Sequence, residues 1–125
     1  MNEFEIKGRY FFDIFNGKKT AEGRNLESRF GRYVLTRDWK FVKLWTRIPD
    51  DLGQPGIILS FDVKLDEAFI FDSVDDMLSW VGIEKMLPGT TTIEEGKKIY
   101  QQFNVTGKVM AIYLHPISKL EVKPV

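Results

Sequence analysis

A helix is predicted to give way to a strand at Gly17–Arg24, where the sequence reads Gly-Lys-Lys-Thr-Ala-Glu-Gly-Arg. In the preceding segment, Tyr10–Phe15, apolar residues recur at positions i, i+1, i+4 and i+5, which is the spacing of one face of a short helix. Gly17 suits the left-handed conformation that often ends a helix. A strand is therefore predicted over Lys18–Asn25, in which Gly23 marks a bulge or a close backbone approach.

The rest of the chain alternates apolar stretches with turn-forming residues. Ser73 and Thr92 are each followed three residues later by an acidic residue, which is the spacing of a capping box, so a helix is predicted to begin at each. In chain order, the further predicted elements are an aromatic and basic ribbon or hairpin over Val34–Thr46, strands over Gly56–Val63 and Glu67–Asp72, the two capped helices, and a strand over Val109–His115.

This order of elements predicts an α+β fold. Strands and helices are segregated rather than alternating, which favours a mainly antiparallel sheet over a parallel one. Several short strands in a chain of 125 residues suggest a small, partly closed β-barrel with flanking helices. The length, and the lack of a long linker or an internal repeat, predict one domain over residues 1–125.

The composition excludes several kinds of site. The chain has no cysteine, so disulfides, thiol nucleophiles and thiolate metal sites are excluded. His115 is its single histidine, which excludes multi-histidine metal sites and argues against a Ser-His-Asp hydrolase.

The sequence lacks the usual signals for export or membrane insertion. No apolar run approaches the roughly 20 residues that cross a bilayer. The acidic N-terminus lacks the apolar core of a signal peptide. We expect an intracellular protein, cytoplasmic or nuclear, that has no membrane partner.

The net charge of zero hides an uneven distribution of charge. Residues 1–48 hold eleven Lys or Arg against six Asp or Glu, whereas residues 49–125 hold seven against twelve. A basic half can attract phosphate, which favours a nucleic-acid partner. The alternative is that these charges only solvate the surface.

Lys19, Glu22 and Arg24 are the leading candidates for a binding site, together with Lys18 and Thr20. A lysine offers three donors and a positive charge to a phosphate or a carbonyl, and a desolvated lysine can act as a base or nucleophile. Glu22 and Arg24 share one face of a regular strand, either as a site pair for phosphate or a base edge or as a structural ion pair. Lys19 joins them only if the chain bends near Thr20. If they are exposed cleft residues, Lys19→Ala and Arg24→Ala should each change stability by less than about 0.5 kcal/mol.

Basic and aromatic residues interleave between Arg29 and Arg47, a pattern that predicts a surface for single-stranded nucleic acid. Cations follow the backbone of such a strand while aromatic faces stack on its bases. In the alternative, the aromatic side chains fill the core and the cations form its rim. Arg37, Trp39 and Lys40 are the candidate binding residues of this stretch. The whole set is Arg29, Phe30, Arg32, Tyr33, Arg37, Trp39, Lys40, Phe41, Lys43, Trp45 and Arg47.

The segment Gly17–Arg24 fits the pattern G-x-K-x-x-E-x-R directly after a short helix. It resembles the signature of the ASCH family, the activating-signal-cointegrator homology domains, which have a PUA-like β-barrel fold. The resemblance implies a PUA-like barrel whose cleft takes RNA or a nucleoside, and it implies no cofactor or metal. From about residue 10 to residue 116, the likeness also includes Phe71–Leu78, Leu87–Gly89, Thr92–Tyr100 and Val109–Leu114.

The resemblance implies more than one function. Most members of the family are RNA-binding or coactivator modules, but one branch removes the acetyl group from acetylcytidine and another has been described as a ribonuclease. In the amidohydrolase branch the active groups are the motif lysine, a threonine and a helical glutamate. Lys19 matches the lysine, and Glu22 stands where that branch has threonine. The candidates for the helical glutamate are Glu84, Glu94 and Glu95.

We expect a module that binds RNA or a modified nucleoside through a cleft formed by Lys19, Glu22 and Arg24. The alternative is an enzyme, an acetylcytidine amidohydrolase or a ribonuclease, in which Lys19 is the catalytic residue. A third reading is a protein-interaction module. The oligomeric state stays open.

Overall fold

The computed structural model describes residues 2–36 and 41–125. Within them a six-stranded sheet curls into a partly closed barrel, and five helices flank it. The predicted α+β fold class is therefore confirmed. The elements are β1 Asn2–Glu5, α1 Arg9–Phe15, β2 Ala21–Asn25, α2 Arg29–Thr36, β3 Phe41–Ile48, β4 Ile57–Phe71, α3 Val74–Val81, α4 Ile83–Met86, α5 Ile93–Gln102, β5 Val109–Pro116 and β6 Glu121–Pro124.

The strands follow the order β1-β3-β4-β5-β2, with β6 paired to β4. β1 and β3 are parallel, and the other pairs are antiparallel. β4 joins the two halves of the sheet because its first part pairs with β3 and its second part pairs with β5. Its register shifts between Leu65 and Glu67, an irregularity that bends a strand. β1 and β2 are thus the two ends of the sheet, and the gap between them is called the seam below.

Two apolar cores lie on opposite faces of the sheet. In β5, Met110 and Ile112 belong to one core while Val109 and Ala111 belong to the other, as the alternation of a strand requires. The inner core also takes residues from β1, β3 and β4 and is covered by α1 and α2, whereas the outer core packs under α3 and α5. Because distant strands of the sheet contribute to one inner core, burying that core curls the sheet.

The helix-to-strand junction predicted at Gly17 is present. α1 ends at Phe15, and Gly17 has a φ of 79°, in the left-handed region. The backbone N–H groups of Lys18 and Lys19 both donate to the carbonyl oxygen of Asp13, at 2.8 and 3.0 Å. The turn therefore satisfies the end of α1 and delivers Lys19 to the start of β2.

Both predicted helix starts are confirmed. The Ser73 side chain accepts a hydrogen bond from the backbone N–H of Asp76 at 3.1 Å, and Thr92 accepts one from Glu95 at 3.1 Å. α3 and α5 begin at the residues that follow. Of the five helices in the described residues, none combines the length and apolarity that a membrane crossing requires.

The ribbon predicted over Val34–Thr46 is wrong in its first part. Arg29–Thr36 forms helix α2, so Val34–Thr36 is helical, and β3 is Phe41–Ile48. Phe30 and Val34 lie one helical turn apart, and both are buried in the inner core. This helical spacing decides the local structure, although the aromatic and β-branched residues from Val34 onward favour a strand.

β4 is one strand of 15 residues, where the sequence pattern predicts two. The charged residues Lys64 and Asp66 suggest a break between two strands. In the structure both are exposed, while Leu65 between them is buried. The chain therefore keeps the alternation of a single strand through its irregular register. β1 and β6 are additional short strands that the sequence pattern does not predict.

Candidate functional site

A cleft of about 470 Å³ opens at the seam between β1 and β2. One side-chain bond crosses the seam, from Arg24 Nη2 on β2 to the carbonyl oxygen of Glu5 on β1, at 2.7 Å. The two strands therefore approach each other without closing the barrel. The cleft is lined by Phe4, Glu5, Ile6, Lys7, Tyr10, Lys19, Glu22, Gly23, Arg24, Arg29, Phe30, Trp45, Leu87, Tyr100, Phe103 and Val105.

Lys19 is buried at the inner end of the cleft, with 2% of its surface exposed. Its Nζ donates to the carbonyl oxygen of Ala21 at 2.7 Å and to that of Met86. It also lies 3.2 Å from Glu22 Oε1. An ammonium group has three N–H donors, and these three acceptors match them. Lys19 is therefore held in place by the protein itself.

The chain bends between Lys19 and Glu22, as a shared site requires. On a regular strand, residues three apart point to opposite faces. Here Lys19 precedes β2, and Thr20 donates its backbone N–H to the Lys85 carbonyl oxygen at 2.9 Å. This contact with α4 anchors the bend. The ammonium of Lys19 and the carboxylate of Glu22 consequently meet on one side.

Glu22 joins Lys19 to Arg24. Its Oε2 accepts a hydrogen bond from Arg24 Nε at 2.8 Å, while its Oε1 faces Lys19. The Arg24 guanidinium also lies 5.5 Å from the centre of the Phe30 ring, within cation–π range. The two interpretations of the Glu22–Arg24 pair therefore coexist, because the pair faces the cleft and also ties β2 to its surroundings.

Burial and ion pairing act against each other in this cluster. Burial lowers the pKa of Lys19, although the Glu22 carboxylate acts in the opposite direction. For Glu22, burial alone raises the pKa, but Lys19 and Arg24 together outweigh burial and hold that pKa below its ordinary value. Glu22 is therefore ionised at neutral pH and can only accept hydrogen bonds.

The cleft carries an excess of positive charge. Lys7, Lys19, Arg24 and Arg29 line it on the cationic side, and Glu5 and Glu22 on the acidic side, which leaves two net positive charges. Lys7 and Arg29 are exposed at its rim. This distribution attracts an anion to the rim and leaves a carboxylate acceptor at the inner end.

Aromatic rings form much of the cleft wall, and the sequence gives little sign of this. Tyr10 comes from α1, Trp45 from β3, and Tyr100 from α5, with Phe103 just beyond its end. The Tyr10 ring lies 5.6 Å from Lys19 Nζ. No spacing along the chain connects residues so far apart, so only the fold can bring them together.

Gly23 is a point of close approach, one of the two alternatives predicted for it. A Cβ at this position would lie 2.7 Å from the Tyr100 hydroxyl and 2.9 Å from Met77 Cε. Both distances are shorter than carbon atoms tolerate. A residue without a side chain at position 23 therefore lets Tyr100 pack against β2.

Some predicted site residues are not in the cleft. Lys18 and Thr20 are exposed and do not line it, because the turn after Gly17 points them away from Lys19. The three candidates Arg37, Trp39 and Lys40 lie outside the described residues.

The predicted helical glutamate is not in the cleft either. Glu84, Glu94 and Glu95 are exposed and do not line it, and Glu95 instead accepts hydrogen bonds from Thr91 and Thr92. The carboxylate that accompanies Glu22 is that of Glu5, on β1.

The basic residues of the predicted nucleic-acid surface are divided among different roles. Arg29 lines the cleft, whereas Arg32 faces solvent on the same helix. Lys43 pairs with Asp62 at 3.2 Å. Arg47 is buried, and it donates to the carbonyl oxygens of residues 49, 51 and 54, at 2.6, 2.8 and 2.6 Å. Lys43 and Arg47 therefore stabilise the fold through contacts within the protein.

Two solved structures are similar to this chain. One is the crystal structure of hypothetical protein PH0355, with 28% identity and a TM-score of 0.68, over 92% of this chain and 97% of that one. The other is the solution NMR structure of protein PF0455 from Pyrococcus furiosus, with 22% identity and a TM-score of 0.63, over 94% and 98%. No protein-family model and no curated protein matches the chain. These similarities support the fold, and any assignment of function depends on the site.

The burial of Lys19 reverses the stability expected for its alanine variant. Lys19→Ala removes the partner of a buried carboxylate and of two carbonyl oxygens, so it should lower the free energy of unfolding by about 3–5 kcal/mol. Lys18→Ala is the matched control, because Lys18 is the exposed neighbour and its loss should cost less than about 0.5 kcal/mol. Urea denaturation of both variants measures the difference. Equal stability of the two variants would contradict the buried cluster.

The lowered pKa of Glu22 predicts a pH dependence of stability. Between its folded pKa and its unfolded value near 4.5, the unfolded state binds more protons, so the contribution of Glu22 is present above that value and is lost as the pH falls. The difference in unfolding free energy between wild type and Glu22→Gln should therefore be constant near neutral pH and shrink below about pH 4.5. Urea titrations across this range measure it, with Glu27→Gln at an exposed carboxylate as control. A difference that stays constant through the acid range would show that Glu22 is not stabilised as an anion.

Proposed function

We propose that this chain is a module that binds RNA or a modified nucleoside, and that a base enters the cleft at the seam. The observation that carries the proposal is the ionised Glu22 carboxylate, held between Lys19 and Arg24 at the inner end of an aromatic cleft. A buried carboxylate fixed by two cations is a costly arrangement to maintain. A ligand that donates a hydrogen bond to the Glu22 carboxylate accounts for this arrangement.

The polar groups of the cleft match the edge of a nucleobase. Glu22 can accept from an exocyclic amine, and Arg24 uses only two of its five N–H donors in the bonds to Glu22 and Glu5. The rings of Tyr10, Trp45 and Phe103 offer apolar faces on which a planar base can stack. The cleft volume falls within the range of sites for small ligands.

Two features favour RNA over a free nucleoside. The net positive charge and the exposed cations Lys7 and Arg29 suit a phosphate attached to the base in the cleft. A second cavity of about 430 Å³ shares Lys7, Tyr10 and Phe103 with the cleft, so it extends the same groove beside Arg9. A neighbouring nucleotide of a single strand can follow this groove. An RNA partner also implies a cytoplasmic or nuclear location.

The resemblance to the ASCH family and its PUA-like fold agrees with this proposal. Its motif residues Lys19, Glu22 and Arg24 surround one cleft instead of being spread over the surface. The names of the two similar structures state no activity, so they neither add to the assignment nor argue against it.

The amidohydrolase or ribonuclease alternative has less support from the geometry. A nucleophilic lysine needs a free lone pair on nitrogen, whereas Lys19 Nζ donates to three oxygen atoms. Glu22, in place of the threonine of that branch, also repels the oxyanion that amide hydrolysis develops. Incubation with acetylcytidine, followed by chromatography, should show no deacetylation. Sustained turnover by the wild type would favour the enzyme.

Binding of a fluorescent single-stranded RNA, measured by anisotropy at several salt concentrations, tests the proposal. The affinity should fall as salt rises, by a slope of about 0.7 in log K per log salt for each phosphate neutralised. Arg29→Ala should weaken binding and reduce that slope by about one phosphate. Arg32→Ala is the matched control, since Arg32 lies on the same helix but outside the cleft. Equal effects of the two variants, or binding that ignores salt, would contradict a phosphate at the rim of the cleft.

A further inference from the structure

Tyr100 is the one cleft residue whose polar group is buried without a partner among the residues described. The side chain comes from α5, and 4% of the residue surface is exposed. Its hydroxyl makes no hydrogen bond within residues 2–36 and 41–125. Buried hydroxyl groups are nearly always paired, because an unpaired one forfeits the hydrogen bonds that it makes in water. The Tyr100 hydroxyl thus lacks the partner that its burial demands.

The hydroxyl lies where the outer core meets the cleft, because Tyr100 belongs to the outer core and also lines the cleft. It lies over Gly23, which stands between Glu22 and Arg24 in the chain, and a β-carbon at residue 23 would come 2.7 Å from it and 2.9 Å from Met77 Cε. Three titratable groups act electrostatically on the Tyr100 hydroxyl, namely Glu22, Tyr10 and Arg24. Burial, reinforced by the Glu22 carboxylate, raises the pKa of Tyr100 well above its ordinary value. The phenol therefore keeps its proton and remains a hydrogen-bond donor.

We propose that Tyr100 determines specificity by donating a hydrogen bond to an acceptor on the bound base, either a carbonyl oxygen or a ring nitrogen. Glu22 accepts from an N–H of the same ligand, since it is ionised and cannot donate. The preferred ligand is therefore a planar ring that carries both an N–H donor and an acceptor, as the edge of every RNA base does. This inference rests on the proposed function, and it adds a residue that recognises the base in the cleft.

The proposal also explains why residue 23 is glycine. Any side chain there would displace the Tyr100 hydroxyl, because its β-carbon would come within 2.7 Å of the oxygen. A cleft that needed only a bulky aromatic wall could tolerate a shifted ring. A cleft that needs the hydroxyl at one point cannot tolerate it.

Tyr100→Phe tests the proposal, because it removes the hydroxyl and keeps the ring. The probes are four labelled single-stranded RNA octamers, each of a single base, together with the corresponding free nucleosides. The variant should bind the preferred octamer about 5- to 100-fold more weakly than the wild type. Its thermal stability without ligand should equal or exceed that of the wild type, since the lost group has no partner in the protein.

Tyr113→Phe is the matched control. Tyr113 is half-buried and packs edge-on against Phe69 at 5.8 Å, away from the cleft lining. The control should bind all probes like the wild type. If Tyr100→Phe also binds like the wild type, the inference is overturned while the proposed function stands. If the wild type binds none of the probes, the proposed function fails and the inference fails with it. Weaker binding by a Tyr100→Phe protein that has also lost stability would indicate a structural role and overturn the inference.

A second measurement does not depend on the folding of that variant. The chain has four tyrosines, so wild-type protein labelled with carbon-13 at tyrosine Cζ should give four NMR signals. The Tyr10, Tyr33 and Tyr113 phenylalanine variants assign the Tyr100 signal by elimination. Saturating the wild type with the preferred octamer should shift the Tyr100 signal, as a new hydrogen bond to its oxygen requires. An unchanged Tyr100 signal at saturation would overturn the inference.

Discussion

The buried ion pair between Lys19 and Glu22 is the interaction on which the site depends. Each charge is removed from water, so each needs a partner at short distance. Lys19 finds its partners in Glu22 and in the carbonyl oxygens of Ala21 and Met86. The pair therefore fixes the end of α4 and the start of β2 relative to each other. Through Arg24, the same cluster reaches the backbone of β1 across the seam.

This way of joining the two ends of the sheet leaves room for a ligand. Strands that pair through their backbones lie about 5 Å apart and leave no cavity between them. A side-chain bridge holds β1 and β2 further apart, and the space between them becomes the cleft. The open barrel and the cleft are therefore two consequences of one arrangement. The charge left over at the rim then decides which ligands approach the opening.

A second exposed surface competes for the role of binding site. Trp80 on α3 is 62% exposed and packs against Phe69 and Phe71, at ring distances of 4.9 and 5.7 Å. It could stack on a base, but Asp76 contributes the charge of the shallow cavity there. A carboxylate repels phosphate, so this surface suits RNA less well than the seam does.

Local signals in the sequence predicted the parts of the site that lie close together in the chain. Gly17 and the apolar residues before it indicate the helix-to-strand junction, and Lys19, Glu22 and Arg24 follow within eight residues. Tyr100 could not be predicted in the same way, because its place over Gly23 depends on how α5 packs against the sheet. The exposed or buried state of Lys19 also depends on α4, which supplies the Met86 carbonyl oxygen.

The helix α2 illustrates a conflict between two signals in the sequence. From Val34 onward the sequence is rich in aromatic and β-branched residues, which favours a strand, but Phe30 and Val34 are spaced for one helical face. Burial of Phe30 and Val34 in the inner core outweighs the strand preference of the neighbouring aromatic and β-branched residues. Arg29 begins the same helix and lies at the rim of the cleft, so α2 bears on the candidate site as well as on the fold.

The location of the RNA site is the central claim, and an NMR titration tests it most directly. Nitrogen-15-labelled wild-type protein would be titrated with a single-stranded RNA octamer, and the backbone amide shifts would be mapped along the chain. The account predicts the largest shifts at the seam, at Glu5, Gly23 and Arg24, with little change in α3. Largest shifts around Trp80, with the seam unchanged, would contradict it.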